Sequence, residues 1–352
     1  MNINILITGG LGYIGSFTAL VLLEKGCKVH IVDNESNSYI STLDRIENLC
    51  GKRPSFSPID IRNSGELDQE FERFRPDVVV HLAAMKSVEE SLVKPIDYYD
   101  NNIGGLITLL KSMNKHGCDR IVYSSSATVY GSPDVFPITE TCALSSENVY
   151  GETKIMGERI IESWTRASLA RSAVSLRYFN PIGAHPSLAL GEQSRSAPTG
   201  IMPSICRAVL EQKRTFEIYG GDYETIDGTP ERDFIHVLDL AEAHYAAVQY
   251  CFKSSTFEVF NIGTGISVSI LQLLSVFENA TGQKVRSELV GRRPGDVPAS
   301  LACIQKATYS LQWKAERGLY EMCSDAWNWT LEIYSDYQWI NSLSKNNSLS
   351  TD

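Results

Sequence analysis

The sequence lacks the residue patterns that hold metal ions in proteins. Its eight cysteines are scattered over 352 residues, and no two of them form a CxxC pair. Its six histidines show neither HExxH nor any other metal-ligand spacing. We therefore expect no metal site. Isolated cysteines in a chain of this size are typically small buried residues, which fits a reducing compartment.

The sequence also lacks a basic excess and a long apolar run. It carries 42 acidic against 32 basic residues, for a formal net charge of -10. That sign disfavours a nucleic-acid partner, which needs a basic footprint. No apolar run approaches the ~18 residues of a membrane-spanning helix, and no basic segment followed by an apolar one opens the chain. We expect a cytoplasmic protein with neither a nucleic-acid nor a membrane partner.

Short apolar runs alternate with helical segments through the first half of the chain. Runs of this length, separated by helices, predict βαβ units and a buried parallel sheet. Parallel sheets bind ligands beyond the carboxyl ends of their strands, where the polar motifs of this sequence fall. The runs cover residues 3–7, 28–33, 77–81, 120–124 and 173–177.

A glycine-rich loop follows the first run and opens a helix. Gly9, Gly12 and Gly15 allow a tight turn and a close approach of the backbone to a pyrophosphate, which the helix N-terminus then faces. The second run ends in Asp33, whose carboxylate suits the adenosine ribose and repels a 2′-phosphate, so NAD is favoured over NADP. Asp60 is a weaker candidate for the adenine edge, and an ordinary turn aspartate explains it nearly as well.

These features predict an α/β fold with a Rossmann-like doubly wound parallel sheet and a smaller α/β substrate-binding lobe. We expect residues 1–180 to form the NAD-binding domain, to which residues 232–265 return. Residues 181–334, with their glycine- and proline-rich loops, are expected to form mainly the substrate-binding lobe. Residues 335–352 are expected to be a C-terminal tail.

Tyr150 and Lys154 stand four residues apart, on one face of a predicted helix. A phenol has a pKa of ~10, and a neighbouring ammonium lowers that value, so Tyr150 could act as a general base. Such a pair alone is more often a solvated helix face. The dinucleotide loop, and a serine cluster that includes Ser126 at the end of a strand, favour the catalytic interpretation.

Together these motifs resemble the extended short-chain dehydrogenase/reductase superfamily and, within it, the NAD-dependent UDP-hexose 4-epimerases. The resemblance runs from about residue 3 to about residue 330. The matching segments are TGGLGYIGS (8–16), VDN (32–34), HLAAMKSVEES (81–91), YYDNN (98–102), SSSATVYG (124–131), YGETK (150–154), RYFNPIGAHP (177–186), DGTPERDFIHVLDLA (227–241) and GRRPGDVPA (291–299).

The resemblance implies a reaction. Tyr150 would remove the proton of the sugar 4-hydroxyl while C4 passes a hydride to tightly held NAD. Ser126 would bind the same oxygen, and Lys154 would hold the nicotinamide ribose. The 4-ketosugar would then rotate about its phosphate linkage and present its other face, and the returning hydride would invert C4. The implied NAD-binding residues are Gly9, Gly12, Tyr13, Ile14, Gly15, Asp33, Asn34, Asp60, Ile61, Leu82, Ala83, Ala84, Lys86, Asn101, Ser124, Tyr150, Lys154 and Tyr178.

The nucleotide end of the substrate is suggested by residue chemistry. Arg232 and Arg293 carry guanidinium groups suited to a pyrophosphate, Asp296 could accept from a ribose hydroxyl, and Tyr219 offers a face to uracil. The resemblance places UDP on these positions and implies a homodimer. The implied substrate-binding residues are Lys86, Ser126, Tyr150, Phe179, Asn180, Gly200, Tyr219, Arg232, Arg293, Asp296 and Ser300.

Three departures refine the expected reaction. Sugar-nucleotide dehydratases and decarboxylases typically carry acids where this chain has Ala127 and Thr128, so both reactions are disfavoured. Hexose-only epimerases commonly carry tyrosine at the position of Ser300, and many relatives have two asparagines at Thr199-Gly200. We therefore expect a UDP-sugar 4-epimerase for UDP-Glc/UDP-Gal that also accepts UDP-GlcNAc/UDP-GalNAc. The alternatives are a strict UDP-glucose 4-epimerase, another sugar-nucleotide enzyme of this superfamily, and a non-catalytic NAD(H) sensor.

Overall fold

The computed structural model describes residues 3–196, 200–211, 214–293 and 295–334. The strands are β1 (Asn4–Thr8), β2 (Lys28–Val32), β3 (Ser55–Ser57), β4 (Val78–His81), β5 (Arg120–Ser126), β6 (Ser172–Tyr178), β7 (Asn180–Ile182), β8 (Phe216–Tyr219), β9 (Glu231–Arg232), β10 (Phe234–His236), β11 (Phe257–Ile262), β12 (Val268–Ser269), β13 (Ser287–Val290) and β14 (Ala299–Ser300). The predicted tail lies outside the described residues.

The helices of the described residues separate most of these strands. They are α1 (Tyr13–Glu24), α2 (Thr42–Cys50), α3 (Ser64–Phe74), α4 (Val88–Val93), α5 (Pro95–Tyr98), α6 (Gly105–His116), α7 (Val149–Arg166), α8 (Ile201–Leu210), α9 (Val237–Cys251), α10 (Ile270–Thr281), α11 (Gln305–Leu311) and α12 (Leu319–Glu332). A π-helical turn, Tyr99–Gly104, joins α5 to α6, and a 3₁₀ turn, Ala127–Tyr130, follows β5. None of the helices in the described ranges combines the length and apolarity that crossing a bilayer requires.

A parallel sheet of seven strands forms the centre of the molecule, in the order β3-β2-β1-β4-β5-β6-β11. Its inner strands are apolar and buried on both faces, as the valine- and isoleucine-rich runs predict. The strand order reverses between β1 and β4, which opens a crevice at their carboxyl ends. The predicted α/β class with a Rossmann-like parallel sheet is confirmed.

Helices cover both faces of this sheet. On one face α1 packs against α2 and α9, and on the other α3 packs against α6. The residues that fill the two layers are fully buried, among them Phe17 and Phe260 on the first face and Phe71 and Leu109 on the second. Helix α9 and strand β11 therefore lie against the central sheet although they come late in the chain.

A further hydrophobic cluster, apart from the two layers on the central sheet, lies under helices α8, α10 and α12 and beside the parallel pair β8–β13. Its buried members include Ile205, Phe216, Phe277 and Trp327. Helix α10 starts from a capping box between Ser269 and Gln272. Two small sheets complete the described structure near this cluster. They are the parallel pair β7–β10 and the three-stranded sheet β12-β9-β14.

Candidate active site

The glycine turn after β1 is packed so tightly that only glycine fits. Gly9 has a φ of 71°, and a Cβ there would lie 2.7 Å from the backbone nitrogen of Ala83. A Cβ on Gly15 would lie 2.2 Å from the carbonyl oxygen of Gly9. Gly12 caps α1 without a side chain, so the first turn of the helix presents its backbone N–H groups to the crevice. This cradle suits the pyrophosphate of a dinucleotide.

Asp33 directly follows β2 at the rim of the same crevice, and the fold holds its buried carboxylate in place. One oxygen accepts from the Leu11 backbone N–H at 3.1 Å. The other accepts from the Ser38 hydroxyl and the Glu35 backbone N–H, both at 2.9 Å. The carboxylate is thus oriented at the rim of the crevice, beside the pyrophosphate cradle, where an adenosine ribose is expected.

Asp60 lies beside this rim rather than in the crevice wall, in contrast to its neighbour Ile61. Its carboxylate is bound by the guanidinium of Arg62, which also reaches Asp100 at 2.6 Å. Arg62 holds the pKa of Asp60 well below its usual range. Asp60 also accepts from the Asn34 amide at 3.1 Å, and through it supports the rim.

The other predicted cofactor residues line one cleft of about 230 Å³. They are Gly9, Gly12, Tyr13, Ile14, Gly15, Asp33, Asn34, Ile61, Leu82, Ala83, Ala84, Lys86, Asn101, Ser124, Tyr150, Lys154 and Tyr178. Sequence reasoning missed several residues of this wall, including Ser36, Asn37, Ser38, Met85, Glu192, Gln193 and Ser194. Ser36, Asn37 and Ser38 follow Asp33 by three to five residues, and this closeness in sequence could have identified them as part of the wall. Glu192 carries no such signal, because only folding brings it to 3.3 Å from the Lys86 ammonium.

The two asparagines of the π-helical turn have different positions. Asn101 lines the cleft and donates to the Asn102 side chain at 2.9 Å. Asn102 is buried, binds the backbone N–H and carbonyl of Met85, and donates to the Thr153 hydroxyl of α7. It therefore ties the cofactor loop to the helix that carries Tyr150.

Tyr150 and Lys154 lie on α7, whose first turn is capped by the Asn148 side chain. The Lys154 ammonium donates to the Ser124 carbonyl at 2.6 Å and lies 5.7 Å from the centre of the Tyr150 ring. Ser126 ends β5 next to this pair and accepts from the Thr128 hydroxyl at 3.0 Å. The structure thus brings the three predicted catalytic residues together.

Burial dominates the protonation of this group. It raises the pKa of Tyr150 to about 12, and a hydrogen bond with Ser126 acts in the opposite direction. It lowers the pKa of Lys154 to about 7, against the attraction of the Glu158 carboxylate. The Tyr150 pKa therefore lies above that of a free phenol in the protein alone, whereas the sequence predicts that Lys154 lowers it. Desolvation of the phenolate outweighs an ammonium at this distance.

A cavity of about 570 Å³ lies between α8, β8 and β9. Arg232 lines it and forms an ion pair with Asp296. The Arg293 guanidinium lies 4.2 Å from the centre of the Tyr219 ring and 3.6 Å from Glu89. Two cations, an aromatic face and a carboxylate therefore converge in a space of the size that small ligands occupy.

A second cavity, of about 260 Å³, joins this one to the catalytic group. Ser126 and Ser300 both line it, together with Phe179, while Tyr178 lines both this cavity and the cofactor cleft. Sequence reasoning missed Val88, Thr128, Glu147 and Asn148 in its wall. Asn180 lines both substrate cavities and donates to the Asp233 carbonyl at 3.1 Å.

Gly200 does not line these cavities. It caps α8, and a Cβ on it would lie 3.5 Å from the Glu192 carboxylate, closer to the cofactor side than predicted. Thr199, its partner in the predicted departure, lies outside the described residues. Across the described ranges, no group of three or more histidine, cysteine or acidic side chains is placed to hold a metal ion.

The cradle at the sheet reversal and the Ser126–Tyr150–Lys154 group beside it define a dinucleotide-dependent enzyme. Residues 5–263 match the NAD dependent epimerase/dehydratase family. The chain therefore belongs to this family, and it is an NAD-dependent isomerase.

Several known proteins match this chain over nearly their whole length, in sequence or in structure. UDP-glucose 4-epimerase 2 of Arabidopsis thaliana is 44% identical over 331 residues, which cover 93% of this chain and 94% of that protein. A UDP-glucose 4-epimerase of Stenotrophomonas maltophila, solved with NAD and formylated UDP-arabinopyranose, superposes with a TM-score of 0.93 at 39% identity, covering 95% and 100% of the chains. One of Bifidobacterium longum, with NAD⁺ and UDP, has a TM-score of 0.89 at 39% identity, covering 93% and 98%.

Proposed function

We propose that this protein is a UDP-glucose 4-epimerase, which inverts C4 of UDP-glucose and UDP-galactose through a transient 4-ketosugar. One observation carries the proposal. The cofactor cleft and the smaller arginine-lined cavity meet at Tyr178, next to Ser126, Tyr150 and Lys154. The larger cavity shares Arg232 and Arg293 with the smaller one. A sugar nucleotide with its diphosphate at Arg232 and Arg293 would reach the catalytic group with its hexose.

In this proposal each catalytic residue has one task. Tyr150 takes the proton of the sugar 4-hydroxyl, and Ser126 hydrogen-bonds the same oxygen. Lys154, held by the Ser124 carbonyl, supplies positive charge beside the phenolate that forms. Bound NAD⁺ supplies the acceptor for the C4 hydride. The ketone turns about its phosphate linkage and presents its other face, to which the same hydride would return from the cofactor. Tyr150 returns its proton to the 4-oxygen, so C4 is inverted and nothing is consumed.

The residues after Ser126 support epimerisation over elimination. Ala127 has no proton to give, and Thr128 donates its hydroxyl hydrogen to Ser126 at 3.0 Å. Loss of water from a ketosugar needs an acid at the leaving hydroxyl. Neither a methyl group nor an alcohol can serve as that acid, whereas a 4-epimerase needs no acid beyond Tyr150.

We further propose that the enzyme accepts UDP-GlcNAc and UDP-GalNAc. Ser300 lies on β14, opposite Arg232 of β9, and lines the same cavity as Ser126. A hydroxymethyl group there leaves room beside the hexose, whereas a phenol ring would occupy it. A 2-acetamido group needs that room.

The test incubates the purified holoenzyme with UDP-galactose and, separately, UDP-GalNAc, with products resolved by NMR. Conversion of both is expected. Ser300→Tyr should lower turnover of UDP-GalNAc at least about tenfold and spare UDP-galactose. Ser287→Tyr, on the exposed edge strand β13, is the matched control. Conversion of UDP-galactose alone by the wild type would contradict the broader specificity.

The competing sensor hypothesis predicts a different result in the same assay. A sensor would carry NAD yet convert neither sugar nucleotide. Bound NAD, released by denaturation and measured by absorbance, together with absent turnover would contradict the epimerase proposal. The intact tyrosine–lysine pair supports catalysis.

We also propose a homodimer. The short helices α4 and α5 expose Leu92, Val93 and Ile96, each more than 60% accessible, and Ile107 of α6 is also exposed. Large exposed apolar side chains grouped on neighbouring short helices are costly in water unless another surface covers them. Val93→Glu with Ile96→Glu should yield a monomer by light scattering. Leu169→Glu, at a residue that is 95% exposed and lies outside these helices, should leave the dimer intact.

All eight cysteines are unpaired, and five of them are buried. This supports the proposed cytoplasmic location, because thiols persist in a reducing compartment. Fractionation of cells that express the tagged protein tests this location, and recovery outside the cytosolic fraction would contradict it.

A further inference from the structure

The Lys154 ammonium has few partners for a buried charge. Its side chain belongs to a residue that is only 3% exposed, so water solvates little of it. Within the part of the chain that the structure describes, it makes one hydrogen bond, to the Ser124 carbonyl at 2.6 Å. Besides that carbonyl it lies against two aromatic rings, with its nitrogen 5.0 Å from the centre of the Tyr123 ring and 5.7 Å from that of Tyr150.

The Tyr123 ring is held firmly on all sides. It is 2% exposed and stacks on the His81 ring, with the two centres 5.8 Å apart and the planes at 26°. His81 is in turn fixed by a 2.7 Å hydrogen bond to the Thr8 hydroxyl. On the α7 side, a Cβ at Gly157 would lie 2.2 Å from the Tyr123 hydroxyl, so the glycine makes room for the phenol. The ring cannot move without disturbing β1, β4 or α7.

The other titratable groups around Lys154 are either neutral or already bound to another side chain. The Tyr123 ring is therefore a principal partner of the ammonium charge. Glu158, one turn along α7, attracts the ammonium, but its two oxygens are already bound by Arg177. Burial lowers the pKa of His81 to about 3 and raises that of Tyr150 to about 12, so both are neutral at pH 7. Burial also raises the pKa of Tyr178, which is neutral as well.

We propose that Tyr123 is a positioning residue for the proposed epimerisation, whose ring face holds the Lys154 ammonium charged and in place beside Tyr150. The interaction is a cation–π contact within the range at which such contacts are significant. Tyr123 touches neither cofactor nor substrate in this scheme and acts only through Lys154. The proposal rests on the proposed function for the identity of the reaction, but not for the contact itself.

The contact predicts a specific pH dependence. Burial lowers the pKa of Lys154 to about 7, and an attractive ring face opposes that effect. Removing the ring should lower the pKa further, so the ammonium loses its proton at lower pH. The alkaline limb of kcat should then shift by about one pH unit toward acid. That shift is about a tenfold loss of activity on the alkaline side.

Four variants distinguish the effect of the Tyr123 ring face from the effects of its hydroxyl group and of lost packing. Tyr123→Phe keeps the ring face and should leave the alkaline limb in place. Tyr123→Leu removes the face and should shift the limb. Gly157→Ala keeps the ring but forces it aside, because the new methyl group would overlap the phenol, and should shift the limb in the same direction. Phe71→Leu, a buried aromatic-to-leucine change on α3, controls for lost packing.

Two readouts on the NAD-loaded protein decide the proposal. The first is kcat against pH with UDP-galactose, with bound NAD quantified in each variant. The second is a titration of ¹⁵N-labelled lysine Nζ by NMR, which needs no turnover. A lower Lys154 pKa in Tyr123→Leu and Gly157→Ala, but not in Tyr123→Phe or Phe71→Leu, supports the proposal. Equal Lys154 pKa values in all variants would overturn it, as would an equal shift in Tyr123→Phe. If the wild type converts neither sugar nucleotide while the Lys154 pKa still differs between the variants as expected, only the proposed reaction is rejected.

Discussion

The buried ion pair between Glu158 and Arg177 couples the helix that carries Tyr150 and Lys154 to the central sheet. Arg177 of β6 donates to the two Glu158 oxygens at 2.9 and 2.6 Å, and each side chain is 4% exposed. Arg177 also donates to the Tyr130 hydroxyl at 2.8 Å. The Ser175 hydroxyl donates to Glu158 at 3.0 Å. The pair is bidentate and shielded from water.

Glu158→Gln is expected to destabilise the protein strongly. It preserves the size of the side chain but leaves the buried Arg177 guanidinium charged, because arginine stays protonated at any ordinary pH. Leaving one member of a buried pair uncompensated costs about 3–5 kcal/mol. The total stability of such a fold is about 5–15 kcal/mol, so the loss is a large fraction of it.

The assay is guanidinium unfolding of the NAD-loaded protein, followed by far-UV circular dichroism. Arg177→Met and the double variant Glu158→Gln/Arg177→Met complete the comparison. The double variant should cost less than the two single losses added, because it buries no unpaired charge. A Glu158→Gln loss below about 1 kcal/mol, typical of an exposed pair, would refute the reasoning, as would strict additivity.

Three more outcomes are expected. Tyr150→Phe should retain NAD but lower kcat by about 10²–10⁴-fold, measured with UDP-galactose. Unchanged turnover would remove Tyr150 from the proton transfer. Gly15→Ala should abolish NAD retention after gel filtration, because its Cβ would overlap the Gly9 carbonyl oxygen. Wild-type NAD content in that variant would contradict the cradle. Burial lowers the pKa of His81 to about 3 and of His244 to about 4. The unfolded chain binds these protons from about pH 6.5 downward. Stability should therefore be complete above that pH and fall by about 2 kcal/mol per histidine by pH 5. The unfolding midpoint measured against pH checks this, and His244→Gln should flatten the curve.

Much of the fold follows from local patterns. The valine- and isoleucine-rich runs 28–33 and 77–81 became β2 and β4, because a strand buried on both faces needs apolar residues throughout. The glycine spacing specifies the turn before α1, since other side chains would overlap the neighbouring backbone. Four-residue spacing placed Tyr150 and Lys154 on one face of α7. Such features depend on residues close together in the chain, so reading the chain in order finds them.

The tertiary structure decided what depends on distant residues or on desolvation. Glu192 reaches Lys86, and Arg62 joins Asp60 to the distant Asp100, and neither long-range contact has a signal in the spacing. The Tyr150 pKa rises although Lys154 is near, because the cost of burying a phenolate depends on everything packed around it. The residue types and their order determined the fold class and the chemical groups at the site. Only folding set which groups meet and how little water surrounds them, and those two quantities control their electrostatics.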